Sequence, residues 1–340
     1  MESIWGSSLE LLGWNKRAIA QYKLSLAEST RVAYDRVITK CRAFCTDKQV
    51  EFPPLYTDTL ADFICYTADA SERPQSAINT AMSALSHVYQ ALNLRDCTKN
   101  FHISRLVTAL VKSQTSKPMK KSTILPVHTI MDMFRTWGVN AGLTTKQLRM
   151  KAVALMAIAL MLRPSDIAPK ATLFFSDTLE EKGMTFTRDM VKFGVQEMTV
   201  TFLGIKNDYS RKGFNVSIPS NKDYILDPVA TLKDYLVRTE GLTSDEGVFI
   251  SLNRPFQAVG ASAIAKILVD VINSSGLSGL GFSAKSFRPT GATLAISKGV
   301  EPKIVQNIGR WKNTDVFYNH YVHAKTPQDF TSNLLGSGGH

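Results

Sequence analysis

The last fifth of the chain contains residue types that could act together on a phosphate ester. Lys285 and Arg288 stand three apart, Trp311 follows them, and Tyr321 lies in Tyr318-Asn319-His320-Tyr321-Val322-His323. A tyrosine attacks phosphorus only where cations favour its phenolate, because its reference pKa is about 10. Arginine suits that task, since its planar guanidinium stays charged and forms bidentate hydrogen bonds with phosphate oxygens. The set predicts a phenol attacking a phosphodiester, with Tyr321 as the nucleophile and Tyr318 as its competitor.

A second arginine follows an apolar run at 152–162, in Leu162-Arg163-Pro164-Ser165-Asp166-Ile167. We expect Arg163 to end a buried helix that Pro164 stops. Asp166 is expected to orient the Arg163 guanidinium through an ion pair. The alternative is an ordinary cation at a helix C-terminus, where the helix dipole favours positive charge.

The remaining candidates also have ordinary structural explanations. Lys206 lies in a predicted hairpin turn, where it either protonates a leaving 5′ oxygen or is simply exposed. Trp311 either donates its indole N–H to a phosphate oxygen or packs in a core. Pro289 suits a first helical position, which would place Arg288 at a helix N-terminus that favours anions. Lys285 and Arg288 would face the same way, or they are an ordinary basic helix start.

The composition indicates a basic protein. The 340 residues include 40 basic and 29 acidic side chains, a net charge of +11. Residues 116–340 hold 27 basic and 18 acidic side chains, against 13 and 11 in 1–115. This excess fits nucleic acid as a partner or a merely basic soluble protein. The longest apolar run has 11 residues, too short to span a bilayer, and no signal peptide is recognised, so no membrane partner is expected.

The four cysteines all lie in the first hundred residues: Cys41, Cys45, Cys65 and Cys97. Only Cys41 and Cys45 are close together, with no second Cys or His pair nearby. This spacing argues against a zinc site and against a disulfide framework. We therefore expect reduced, buried thiols in an intracellular protein.

The periodicity predicts a mainly α chain with a small antiparallel β-sheet and two domains. About four helices fill 14–112, and a Lys-rich polar linker follows at 113–124. The linker lysines Lys117, Lys120 and Lys121 either belong to a solvated hinge or lie on a phosphate backbone. Residues 125–326 form the second domain, with a buried helix at 148–162 and strands at 184–187, 197–203 and 214–218. A tail at 327–340 completes the chain.

Taken in order, these residues resemble the catalytic signature of the tyrosine recombinase (phage integrase) family. That signature runs arginine, β-hairpin lysine, His/Lys-x-x-Arg, His/Trp and tyrosine. Its positions here are Arg163, Lys206, Lys285, Arg288, Trp311 and Tyr321. The interval from Arg288 and the Tyr-x-His ending favour Tyr321 over Tyr318. The chain departs from the common pattern at Lys285 and Trp311, where histidine is commoner, and at Pro289, where another histidine is usual.

The resemblance implies a helical core-binding domain that clamps double-stranded DNA and an α+β catalytic domain. It implies DNA strand cleavage and rejoining through a 3′-phosphotyrosyl intermediate, in recombination or integration of a mobile element, with no metal and no cofactor. Four protomers on two duplexes are expected, with the tail docking on a neighbour. Arg310 and the linker lysines are expected to contact DNA.

The Gly309-Arg310-Trp311 segment is most similar to Crypton-type recombinases of eukaryotic mobile elements. Action on DNA implies an intracellular protein, in the nucleus if the host is eukaryotic. Two alternatives remain. One is a domesticated recombinase that binds DNA without cutting it, and the other is an enzyme like type IB topoisomerase.

Overall fold

The computed structural model describes residues 13, 15–18, 25–26, 28–113, 124–176, 179–203, 213–243 and 246–321. The chain divides into two compact units, Met1–Lys120 and Lys121–His340. The division falls inside the predicted linker at 113–124. Lys117, Lys120 and Lys121 lie outside the described residues.

The first unit is helical, as the periodicity predicts. Between residues 28 and 113 its helices are α1 (Glu28–Asp47), α2 (Thr57–Asp69), α3 (Pro74–Ala91) and α4 (Phe101–Ser113), with a 3₁₀ turn at Cys97–Lys99. Their apolar faces share a core that includes Leu60, Phe63, Ile64, Ile78, Leu85 and Tyr89. The prediction of about four helices is confirmed by these elements.

All four cysteines are free thiols. Cys41, Cys45 and Cys97 are buried, whereas Cys65 is only partly buried. The expectation of buried thiols is therefore right at three positions and wrong at Cys65, which is not among the buried residues of α2. Burial raises the pKa of the Cys41 and Cys45 thiols. Burial, with the charges of Asp69 and Asp62, also raises the pKa of Cys65, so the population of the reactive thiolate is lowered at all three positions.

We expect alkylation of the native protein at pH 8 to modify Cys65 faster than Cys41 or Cys45. The reason is accessibility, because Cys41 and Cys45 are buried and Cys65 is only partly buried, whereas the pKa is raised at all three thiols. Iodoacetamide labelling followed by peptide mass mapping measures the three rates. In denaturant all the rates should become similar, and native labelling of Cys41 before Cys65 would contradict the packing described here.

The second unit combines helices with short strands. Its helices are α5 (Val127–Trp137), α6 (Thr145–Ala159), α7 (Pro164–Ile167), α8 (Pro228–Arg238), α9 (Ala261–Ser274), α10 (Phe287–Ser297), α11 (Pro302–Gly309) and α12 (Thr314–Tyr321). Its strands are β1 (Ala171–Ser176), β2 (Leu179–Met184), β3 (Val191–Phe193), β4 (Glu197–Phe202) and β5 (Phe214–Pro219). Within the described ranges of the whole chain, no helix has the length and apolarity needed to traverse a bilayer.

The strands form an antiparallel three-stranded sheet in the order β3-β4-β5 and a separate β1-β2 hairpin. In the sheet, Glu197 pairs with Pro219 and Phe202 with Phe214. The predicted strands at 197–203 and 214–218 are thus confirmed. The predicted strand at 184–187 is wrong, because Met184 ends β2 and the sheet's first strand is β3 instead.

Helix α6 forms the centre of the second unit. It begins with a reciprocal capping box between Thr144 and Gln147 and is buried over most of its length, as its apolar sequence predicts. It contacts α8, α9 and α10. The helix ends at Ala159 rather than at the expected residue 162. Met161 adopts a left-handed φ of 50°, and the Leu162 N–H returns to the Ala157 carbonyl, which closes the helix end.

Helices α6 and α10 approach closely at Gly291. A Cβ placed there would lie 2.3 Å from the Ile158 carbonyl oxygen. A side chain at this position must therefore push the two helices apart.

We expect Gly291→Ala to destabilise the protein by about 1–3 kcal/mol, the usual cost of overpacking a core. Chemical denaturation followed by tryptophan fluorescence measures the effect. Gly142→Ala is the matched control, because a Cβ there meets nothing within 4 Å. Equal stability of the two variants would contradict the close helix contact.

Candidate active site

The candidate site is organised by the short helix α7. Pro164 occupies its first turn, and Arg163 stands just before it with extended backbone. The Asp166 carboxylate accepts a hydrogen bond from the Arg163 backbone N–H, with 3.0 Å between Oδ2 and N. The expectation that Arg163 ends the apolar helix is therefore wrong. Because α6 has already ended at Ala159, Pro164 begins a new helix instead of stopping the old one.

Three arginines converge on Oδ2 of Asp166. The Arg310 Nη2 lies 3.2 Å away and donates a hydrogen bond. The Nη1 atoms of Arg163 and Arg288 each lie 3.7 Å away, which is ion-pair distance but too long for a hydrogen bond. Asp166 is only 7% exposed in its side chain. Three guanidinium groups and one carboxylate give this cluster a net positive charge, and the predicted Arg163–Asp166 ion pair is present.

Arg288 lies deep in the second unit, at 3% exposure. Its Nη1 and Nη2 groups donate to the carbonyl oxygens of Met161 and Gly309. The Trp311 ring covers it, with 4.2 Å between the guanidinium carbon and the ring centroid, a distance that permits a cation–π contact. Trp311 is itself buried and packs on Phe317. The packing role of Trp311 is thus present in the structure.

Lys285 does not share the environment of Arg288. It lies in a 3₁₀ turn, Ala284–Ser286, and is exposed. Pro289 is the third residue of α10 rather than the first, because the Ser283–Ser286 capping box starts the helical turn earlier. Proline is tolerated there, since N–H groups in a first turn have no partner within the helix.

The Gly309-Arg310-Trp311 segment has strict steric demands. A Cβ on Gly309 would lie 1.7 Å from the Trp311 ring, so only glycine fits beneath the indole. Arg310 directly follows α11 and caps it with a left-handed φ of 60°. This reversal directs the chain so that the backbone N–H of Trp311 donates to the Gln306 carbonyl, with 3.0 Å between nitrogen and oxygen.

The Arg310 side chain points into the protein. It is 6% exposed, and its guanidinium carbon lies 4.5 Å from the centroid of Phe202 at the end of β4. Burial lowers the pKa of Arg310, and the charge of Asp166 opposes that shift. Sequence reasoning assigned Arg310 to DNA and missed this contact. The only available signal was the position of a charged residue between glycine and tryptophan.

The residue predicted as the nucleophile is described only by its backbone. Tyr321 is the last residue of α12, and its side chain lies outside what the structure describes. Tyr318, on the same helix, is 46% exposed. Lys206 and the tail at 327–340 are also outside the described residues. Within the described ranges, no three His, Cys, Asp or Glu side chains are grouped so as to hold a metal ion.

Several solved structures share this fold. The chain is similar to the Tn1549 transposon integrase in complex with circular intermediate DNA, with a TM-score of 0.58, 13% identity and 98% of each chain covered. It is also similar to the lambda integrase tetramer bound to a Holliday junction, with a TM-score of 0.55 and 14% identity over 96% of this chain and 78% of the other.

A third similar structure is the XerH recombinase in a pre-cleavage complex with its difH substrate. The TM-score is 0.52 and the identity 14%, over 84% of this chain and 71% of the other. No protein-family model and no curated protein matches the sequence. The chain has the tyrosine recombinase fold, and the resemblance drawn from the sequence is confirmed at the level of the fold.

We expect Asp166→Ala to destabilise the protein by about 3–5 kcal/mol, because it leaves buried cations without their carboxylate. Chemical denaturation of the full chain measures the change. Asp132→Ala is the control, since Asp132 pairs with Arg135 at 3.0 Å while 66% exposed, and such surface pairs contribute about 0–1 kcal/mol. Equal losses in the two variants would refute a central role for Asp166.

Proposed function

We propose that this protein cleaves and rejoins DNA strands through a tyrosine–phosphate intermediate. One observation carries the proposal: Arg163 and Arg288, from distant stretches of the chain, share the carboxylate of Asp166. Two guanidinium groups at one point suit the two non-bridging oxygens of a phosphodiester. The tyrosine recombinase fold and the position of Tyr321 at the end of α12 support the same function.

The proposed reaction exchanges one phosphoester for another. The Tyr321 phenolate oxygen bonds to phosphorus as the bond from phosphorus to the 5′ oxygen breaks, giving a 3′-phosphotyrosyl link and a 5′-hydroxyl. Lys206 supplies the proton that the leaving oxygen takes up. Rejoining is the reverse attack by a 5′-hydroxyl. The covalent link conserves the bond energy, so the step consumes no ATP.

The other site residues act on charge. Arg163, Arg288, Lys285 and Trp311 would hold the phosphoryl oxygens as negative charge grows on them. Preorganised donors of this kind are each worth about 10²–10³ in rate. The net positive charge of the arginine cluster opposes the charge of the phosphoryl group in the transition state.

The burial of Arg288 favours a second candidate function. Its Nη groups donate to two backbone carbonyls, and Trp311 covers its face. A phosphate must share or displace these contacts. A recombinase-derived protein that binds DNA without cutting it would keep this packing unchanged.

Double-stranded DNA is the proposed partner. The similar structures include a lambda integrase tetramer on a Holliday junction and a Tn1549 integrase on circular intermediate DNA. By analogy we propose four protomers on two duplexes, with the tail at 327–340 docking on a neighbour and the linker lysines on the phosphate backbone. The site of action would be intracellular, and nuclear in a eukaryotic host. The resemblance to Crypton-type recombinases and a role in a mobile element remain predictions from the sequence.

The test is covalent trapping on nicked duplexes, in which the departing fragment is lost and cleavage cannot reverse. We expect wild-type protein to form an adduct that survives denaturation, and Tyr321→Phe to form none while still binding DNA. The phenylalanine keeps the ring and removes only the attacking oxygen. Tyr318→Phe is the matched control and should still form the adduct.

Other results separate the alternatives. An adduct from Tyr321→Phe but not from Tyr318→Phe would transfer the nucleophile's role to Tyr318. If wild-type protein forms no adduct on any duplex that it binds, the DNA-binding candidate replaces the enzyme. Sequencing the trapped strands identifies the target.

A further inference from the structure

Asp166 is bound most closely by a cation that plays no part in the proposed chemistry. Arg310 donates to its Oδ2 at 3.2 Å, whereas Arg163 and Arg288 stand at 3.7 Å. Arg310 is also the arginine held against Phe202, and it is buried with Asp166. Its charge is therefore directed at the carboxylate and away from solvent.

The geometry implies competition for one carboxylate oxygen. A buried carboxylate requires neutralisation and hydrogen bonds. If Arg310 were neutral, Asp166 would draw in its next nearest cations, the two proposed phosphate ligands. Arg163, the more exposed member of the pair, would then offer fewer N–H donors to a phosphate, and the net charge of the cluster would fall by one.

We propose that Arg310 is a positioning residue that occupies Asp166 and so leaves Arg163, whose side chain is 37% exposed, available to the scissile phosphate. This inference rests on the proposed strand-cleavage function. It replaces the sequence-based expectation that Arg310 contacts DNA. Arg310 acts through Asp166 and touches no substrate.

The aromatic contacts of Arg310 join the cluster to the sheet. Phe202 and Phe214 are paired across β4 and β5, and the guanidinium carbon lies 4.5 Å and 5.9 Å from their ring centroids. Arg310 thus packs against the last residue of one strand and the first residue of the next. The contact fixes the guanidinium in place, because a stacked and ion-paired arginine has little rotational freedom.

The experiment compares Arg310→Met with the double variant Arg310→Met/Asp166→Asn. Methionine keeps an unbranched apolar stem for the phenylalanine rings and removes the charge. Asparagine keeps an oxygen that accepts from the Arg163 N–H but no longer attracts cations. Arg254→Met, at an exposed arginine of the same unit, is the matched control for loss of one positive charge.

We expect Arg310→Met to slow adduct formation by about 10- to 100-fold, the usual effect of removing a group that orients site residues. DNA affinity and its salt dependence should stay at the Arg254→Met level. The double variant should recover at least about tenfold of the lost rate, since the competing carboxylate is gone.

A direct DNA contact makes different predictions. It would weaken binding by Arg310→Met and reduce the salt slope by about 1, and Asp166→Asn would restore nothing. Either result overturns the inference. If Arg310→Met fails to fold, the double variant decides alone: slow cleavage with a reduced salt slope rejects the positioning role, and near wild-type cleavage with an unchanged slope supports it.

Wild-type protein separates this test from that of the proposed function. Absence of an adduct from wild type refutes strand cleavage and the inference with it. An adduct from wild type together with an unaffected Arg310→Met rate refutes the inference alone.

Discussion

The arrangement of the second unit depends on the buried carboxylate of Asp166. It brings together Arg163, just before α7, Arg288, in the first turn of α10, and Arg310, just after α11. Burying a charged group costs several kcal/mol of desolvation, so the cations that pair with Asp166 must be close and well oriented. Such a group contributes little net stability, but it strongly favours the one packing in which its partners meet. The folded positions of three distant segments are thereby linked.

Backbone conformation places those partners as much as side-chain attraction does. Met161 adopts a left-handed φ, and its carbonyl accepts from Arg288. Gly309 supplies the other carbonyl and leaves room for the indole that covers the guanidinium. The indole face and two carbonyls enclose one guanidinium, and the close approach of the indole to Gly309 leaves no room for a side chain there. Electrostatics and packing act on the same atoms.

The same features set the chemical balance of the site. Three arginines against one aspartate leave the cluster positively charged, and in the proposed reaction this charge would oppose the negative charge that a phosphodiester gains. Arg288 is enclosed, whereas Lys285 is exposed, so the candidate phosphate ligands differ in their access to solvent. Asp166 divides its attraction among three cations, and the distances assign Arg310 the largest share. The charge environment of the other two arginines is thus a property of the whole cluster.

The sequence by itself determined the candidate residues, the helical first unit, the buried helix α6 and the strands β4 and β5, because helical periodicity, β-branched composition and motif spacing are local properties. It also predicted the Arg163–Asp166 pair, whose members are three residues apart. Only the tertiary structure showed that Arg310 binds Asp166, that Arg288 lies under Trp311, and that Lys285 is exposed. The two contacts join residues that are not neighbours in the chain, and exposure depends on the surrounding elements. When several arginines could pair with one carboxylate, the packing of the elements decides which of them does.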